Sequence, residues 1–336
     1  MKALARILLS TAVAVFLLGA LAVWGGVDAG EIVAASERLS PATYLLALGV
    51  HLGIHAVRAA RFRLLIPPAQ RPSFAAMLAI SSAHNLAVYV LPAKTGEGAL
   101  VVYLRTHCGV SAKAGLASLL VSRLLDLATL CAALAAACLY VSSTDLWQAE
   151  RWVGAALGAS FLVLAALFYA LASRGQVLVA VFAWLVCAVR ADRASLGRRL
   201  LSHSLEVGDA LRFAAEDGRV LRALPLSLLV WAGVFVFYAI LARGFGLPAE
   251  IGLAEAAFGS SLAVLTNLLP VNALAGFGTQ EAGWVLGFGL LGVSRELSFS
   301  TGVGVHVVQL FNTCLTGLLG HLAMGALPRP AAEKAP

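Results

Sequence analysis

Residues 268–284 read "LLPVNALAGFGTQEAGW": a proline, three glycines, two amides and a carboxylate set between two apolar runs. Proline removes a backbone donor and clashes with the preceding helical turn, and glycines in the middle of a helix weaken it. A helix arriving from 251 is therefore expected to break at Pro270, and another to start beyond Gly278 with Glu281 just inside it.

The surroundings make this break decisive. The chain has 336 residues, of which 60% are hydrophobic and only 12% charged, and its mean hydropathy is +0.90. Soluble domains are about 45–50% apolar and about 25% charged. Apolar runs at 4–27, 42–65, 114–141, 152–172, 224–245 and 301–327 reach the roughly 20 residues needed to cross a bilayer. The first has a basic start (Lys2, Arg6) but no small-residue cleavage pattern, so it reads as a retained helix rather than a signal peptide. Two further regions, 74–91 with its sequel and 251–293, are apolar but interrupted. A short apolar stretch at 177–190, inside an arginine-rich segment at 174–222, reads as interfacial. The tail, 329–336, is too short and polar to fold alone.

The expected fold is an all-α polytopic membrane protein. It has about six full transmembrane helices and two re-entrant broken-helix segments, all in one membrane domain over 1–328. The net charge of +7 would suggest nucleic acid in a soluble protein. Here Lys and Arg gather in loops, as membrane topology demands, and nucleic acid is excluded as a partner. Basic loops precede 4–27, follow 42–65 (Arg58, Arg61, Arg63, Arg71) and join 152–172 to 224–245; the remaining loops are acid-rich. The cluster at Arg58, Arg61 and Arg63 reads as a topology anchor or a headgroup contact. Alternation then places both termini in the cytoplasm of a cell-membrane protein and makes the two interrupted regions dip in from opposite faces. The five cysteines mostly lie in apolar runs without a CxxC pair; Cys131 and Cys138 share a helix face and read as core.

The interrupted regions match each other. The first runs through Leu91-Pro92, Gly96-Glu97 and Gly109-Val110-Ser111; the second through Leu269-Pro270, Gly278-x-x-Glu281 and Gly292-Val293-Ser294. Each leads into a long apolar helix. The shared order implies a duplication, with copies at about 74–142 and 251–327, and the charge pattern makes it an inverted repeat. In such folds substrate sites form where discontinuous helices meet. A broken helix exposes backbone N–H and C=O groups that hydrocarbon cannot satisfy, so the break must be covered by protein, a wet cavity or a ligand.

Charged groups at membrane depth are costly and usually functional. Glu97 and Glu281 are the foremost candidates, with N-terminal capping of a half-helix as a compatible plainer role. Arg123 and Asp126, in "LLVSRLLDLATL", share one face at i,i+3 spacing. Either they pair with each other, or Arg123 is free for a phosphate that Asp126 helps orient. Lys94 flanks Glu97, and Asn272 and Gln280 fall in the second break; all three are expected to contact substrate. Pro92, Gly96, Pro270, Gly276 and Gly278 are expected to make the breaks. His51 and His55 sit at i,i+4 without a third ligand, so no metal site is expected. No P-loop, nucleophile triad or dinucleotide fold is present, so neither enzymatic activity nor a cofactor is expected of this chain.

The motifs "LPAKTGE", "SRLLDL" and "LP…AGFGTQEA" resemble the flippase-like family, also described as the transmembrane domain of lysylphosphatidylglycerol synthases. The family pattern is matched at Pro92, Gly96 and Glu97, at Arg123 and Asp126, and at Pro270, Gly276, Gly278 and Glu281. It departs at Ser122, where the family has an acidic residue, and at Ala275 and Phe277, which leave a glycine pair incomplete. The resemblance implies an integral membrane protein tied to moving lipids or lipid-linked products, and does not support aminoacyl-lipid synthesis, which belongs to a separate soluble domain. Relatives in isoprenoid, hopanoid and glycolipid pathways widen the substrate list, and the hopanoid-associated branch is the expected placement.

The leading expectation is a lipid translocator whose partners are anionic or phosphate-bearing lipids. The alternatives are a non-transporting subunit that docks a lipid-modifying enzyme, and, more remotely, a transferase with Glu281 as base. Single cysteines placed at the two breaks, in a chain stripped of its native cysteines, should react with a membrane-impermeant maleimide from opposite sides; labelling from one side only would remove the inverted arrangement.

Overall fold

The computed structural model describes residues 38–146, 150–188, 195–268 and 274–327. The expected crossing at 4–27, Pro270, Asn272 and the tail at 329–336 lie outside them. In chain order the described helices are α1 (Pro41–Leu65), α2 (Phe74–Val90), α3 (Ala99–Cys108), α4 (Ala112–Val141), α5 (Arg151–Ala188), α6 (Ser195–Ala215), α7 (Arg219–Gly244), α8 (Leu253–Leu268), α9 (Thr279–Gly289) and α10 (Arg295–Gly325). No strand occurs among the described residues. The protein is an all-α polytopic membrane protein. Five helices, α1, α4, the stretch Arg151–Gly175 of α5, α7 and α10, are long and apolar enough to cross a membrane, and they coincide with five of the runs read from sequence.

The two interrupted regions fold as helical hairpins. In the first, α2 has 17 residues and α3 has 10; at 1.5 Å per residue neither covers a ~30 Å hydrocarbon core. The 3₁₀ turn Pro92–Gly98 between them folds back on α2, so closely that a Cβ on Gly96 would lie 2.1 Å from the Ala87 carbonyl oxygen. In the second hairpin α8 (16 residues) and α9 (11 residues) run antiparallel. A Cβ on Gly287 would sit 2.1 Å from Gly259 O, and one on Gly283 would sit 2.6 Å from Ala263 Cα. Such close approach gains dispersion contacts where lipid supplies no hydrophobic drive.

The two Gly-Val-Ser matches have one local explanation. Gly109 (φ 66°) and Gly292 (φ 78°) adopt the left-handed conformation. Gly109 ends α3, with Val110 N–H returning to Leu104 O at 3.2 Å; Val293 N–H returns to Phe288 O at 3.1 Å after α9. This is the bonding that satisfies the last carbonyls of a helix. Ser111 and Ser294 then cap the next long helix, each side chain accepting a backbone N–H at 3.3 Å, from Ala114 and Leu297 respectively. Each hairpin is thus stapled to its following helix, α4 or α10, by the same construction.

The stretch read as interfacial differs in form. Residues to Ala188 prolong α5 beyond a non-helical Arg174, and α6 packs back on this extension, with Leu211 against Gly175 and Val179 against Gly208. Replacing Gly287 by Ala should lower the thermal midpoint in detergent, with a loss of about 1–3 kcal/mol for overpacking. Gly49→Ala, at a helical site with nothing within 4 Å, should leave the midpoint unchanged or slightly raised; equal behaviour of the two would overturn the close hairpin contact.

Candidate functional site

The first polar centre grows from α1. His51, His55, Arg58 and Arg61 follow one another at helical spacing, which brings them round toward α2, α4 and α7. Arg61 is fully buried. Its guanidinium grips Asp126 with both arms, Nη1 to Oδ1 at 2.6 Å and Nη2 to Oδ2 at 3.0 Å. Nη1 also donates to Ser227 Oγ at 2.9 Å, and Trp231 Nε1 donates to Asp126 Oδ1 at 3.2 Å. Fork-on-fork contact of this kind is among the strongest hydrogen bonding available to side chains.

Asp126 Oδ2 also accepts from Arg123 Nη1 at 3.2 Å. Arg123 turns its Nε and Nη2 to Glu97 Oε2 at 2.9 and 2.8 Å, and His84 Nε2 stands 3.6 Å from the same oxygen. The signs alternate along Arg61, Asp126, Arg123 and Glu97, joining α1, α4, α7 and the Pro92–Gly98 turn. One end is sealed; at the other, the Arg123 and Glu97 side chains keep 36% and 30% exposure.

One expectation is corrected here. Arg58 and Arg61 are not loop charges anchoring topology, because Arg61 is enclosed and Arg58 lines a cavity between helices. Of that cluster, Arg63 stays at the helix end, donating to Pro72 O at 2.8 Å. Of the two readings of Arg123, the structure shows the pair with Asp126, joined by Glu97.

The second centre is the break before α9. Gly278 (φ 83°) precedes the helix, and its N–H donates to Glu281 Oε2 at 2.6 Å, so Glu281 caps the half-helix. The other oxygen, Oε1, meets His306 Nδ1 at 2.6 Å, and His306 Nε2 meets the Ala275 carbonyl at 3.1 Å. Both side chains are fully buried. A carbonyl only accepts, so Nε2 carries hydrogen; the short Nδ1–Oε1 contact then needs a second proton. The pair shares it, as imidazolium with carboxylate or as imidazole with neutral acid. Ala275 itself adopts φ 55°, a conformation costing roughly 1–2 kcal/mol in a residue with a Cβ. Its carbonyl's bond to His306 helps hold it there.

Gln309 on α10 links this break to the rest. Its Oε1 accepts from Gln280 Nε2 at 3.0 Å and from Tyr238 OH at 3.1 Å, and its Nε2 donates to Tyr89 OH. Gln309, Tyr89 and Tyr238 border a cavity of about 60 Å³, whose polar lining also includes His51, His55, Arg58, Asn85 and Thr313. His51 and His55 face each other, Nε2 to Nε2, at 3.1 Å.

The family model for the lysylphosphatidylglycerol synthase TM region matches residues 4–317. The chain belongs to this family. No curated protein matches the chain. A lysylphosphatidylglycerol synthase TM region is a multi-pass membrane structure tied to lipid metabolism, and membrane lipids are its partners.

The structure brings Glu97, Arg123 and Asp126 into one centre and Gln280, Glu281, Gly276 and Gly278 into another. Neither glutamate lines the cavity. Pro92 and Gly96 lie in the first turn, where only the backbone of Lys94 is described. His306, Gln309 and Trp231 were missed, and Arg61 was read only as a topology anchor or headgroup contact. The spacing of His51, His55 and Arg58, and that of His306, Gln309 and Thr313, was a usable signal, because each set falls on one helix face. Asp126→Asn should strand Arg61 without its counter-charge, a loss of about 3–5 kcal/mol seen as a lower thermal midpoint. Combining Asp126→Leu with Arg61→Met should recover much of that loss, and failure to recover would show that the pair is not an isolated charge balance.

Proposed function

We propose that this protein moves a phosphate-bearing lipid headgroup between leaflets while the acyl chains stay in the bilayer. The observation that carries the reading is a polar cavity among membrane-crossing helices, set beside an ion-pair chain with one exposed end. Apolar packing alone has no use for either, and buried charges are costly to keep. In this reading the two hairpins enter from opposite faces as inverted copies over about 74–142 and 251–327, with both termini cytoplasmic.

The candidate residues divide by role. Glu97 and Arg123 form the pair that parts when a headgroup arrives. Asp126 holds Arg123 in place while itself fixed by Arg61. Lys94 adds positive charge beside Glu97, and Asn272 and Gln280 supply polar contacts at the other break. Glu281 and His306 hold a proton whose loss would leave one imidazole N–H for two acceptors, the Glu281 carboxylate and the Ala275 carbonyl, loosening the cap; that proton is the coupling ion. Membership in a lipid-linked family supports the substrate class, and the hopanoid-associated branch remains a proposal within it.

Glu281→Gln is an informative variant. Its amide oxygen can still accept from Gly278 N–H, and its NH₂ can donate to a neutral His306. The variant should therefore fold with a near-native midpoint, yet be locked as if permanently protonated. Glu97→Gln should also fold, since Arg123 keeps Asp126. Both should reduce transfer of a fluorescent phospholipid in proteoliposomes by at least about tenfold, the scale of one lost charge-assisted contact. Wild-type rates in both variants would remove the translocation mechanism and favour a subunit that docks a lipid-modifying enzyme.

A further inference from the structure

The interior charges do not balance. Three guanidiniums, Arg58, Arg61 and Arg123, sit with two carboxylates, Asp126 and Glu97. Asp126 is taken by Arg61 and Arg123, and Glu97 by Arg123. One positive charge is left over, and geometry assigns it to Arg58. Among the described residues no carboxylate lies within 4.0 Å of Arg58. Its Nη1 donates to Asn85 Oδ1 at 3.0 Å, while its Nε is buried with no hydrogen-bond partner. His55 Nδ1, on the same cavity wall, is also buried without a partner. Tyr89 OH accepts from Gln309, so its own hydrogen remains to be given.

We propose that the cavity beside Arg58 binds one phosphate group. The proposal rests on the translocation reading only in taking a lipid headgroup as the source of that phosphate. Arg58 is partly enclosed with its Nε buried; a guanidinium withdrawn from water without a counter-charge is unfavourable, and one anion would remove the imbalance. Arg58 Nε, Tyr89 O–H and the His51–His55 pair are donors of the kind phosphate oxygens accept. The volume of about 60 Å³ equals roughly four waters, room for a phosphate group. No Asp or Glu lines the cavity, so it offers no carboxylate to an ammonium. The class selected is an anionic phosphodiester with an uncharged substituent, in preference to a zwitterionic one.

The test uses the purified full chain in detergent, at matched ionic strength. Its thermal midpoint is followed against dihexanoyl phosphatidylglycerol, dihexanoyl phosphatidylcholine and sodium phosphate. Phosphatidylglycerol should stabilise at about tenfold lower concentration than phosphatidylcholine, and Arg58→Gln should erase that difference. If sodium phosphate reproduces the whole shift and the lipid adds nothing, the site stands with free phosphate as its ligand. Equal responses to both lipids with none to phosphate, or an undiminished preference in Arg58→Gln, would overturn it. Ligand-free Arg58→Gln should melt no lower than the parent, because it removes the unmatched charge; a lower midpoint would refute the charge imbalance. A clear anionic preference without lipid transfer in vesicles would sink translocation and leave the site. Transfer without that preference would do the reverse.

Discussion

The grip of Arg61 on Asp126 sets much of the interior arrangement. A guanidinium removed from water loses several kcal/mol of hydration, and only close opposite charge with further hydrogen bonds makes its burial tolerable. Arg61 finds both: two contacts to Asp126 and a third to Ser227. Because these partners sit on different helices, meeting the electrostatic demand fixes how α1, α4 and α7 approach one another. The remaining valence of Asp126 then holds Arg123, and Arg123 brings in the turn that carries Glu97. Position passes along the chain by alternation of charge.

A different demand shapes the other centre. Breaking a helix inside apolar surroundings frees backbone groups that need partners. Glu281 answers for the start of α9 and His306 for the carbonyl of Ala275. The same two side chains must share a proton because each nitrogen of the imidazole faces an acceptor. Closing the break and pairing with His306 are therefore one arrangement.

Much of this was legible beforehand. The long apolar helices follow from runs that can be nothing else in a bilayer, and the breaks follow from proline and glycine chemistry. The Gly-Val-Ser matches proved to be paired stop and start signals, local features that depend on nearest neighbours. The carboxylates stood out in the sequence as charges that are costly at membrane depth. Arg58 and Arg61 were misread, because sequence places them near a basic helix end where snorkelling toward water is the common outcome. What reversed this was the position of Asp126 and Ser227, far along the chain. His306 drew no notice because a single histidine in an apolar run carries no sign of what it faces.

The sequence by itself determined the solvent this protein lives in, the helical class, the two interruptions and the kinds of residue that would be polar at depth. Those are properties of composition, spacing and short-range backbone bonding, which act within a few residues. The tertiary structure alone decided which charges neutralise which, that Arg123 is held twice, that Arg58 is not held by any described carboxylate, and that Glu281 meets His306. Charge pairing across helices depends on distance in space, and contacts such as Arg61 with Ser227 join positions 166 residues apart, a separation over which no local pattern carries information.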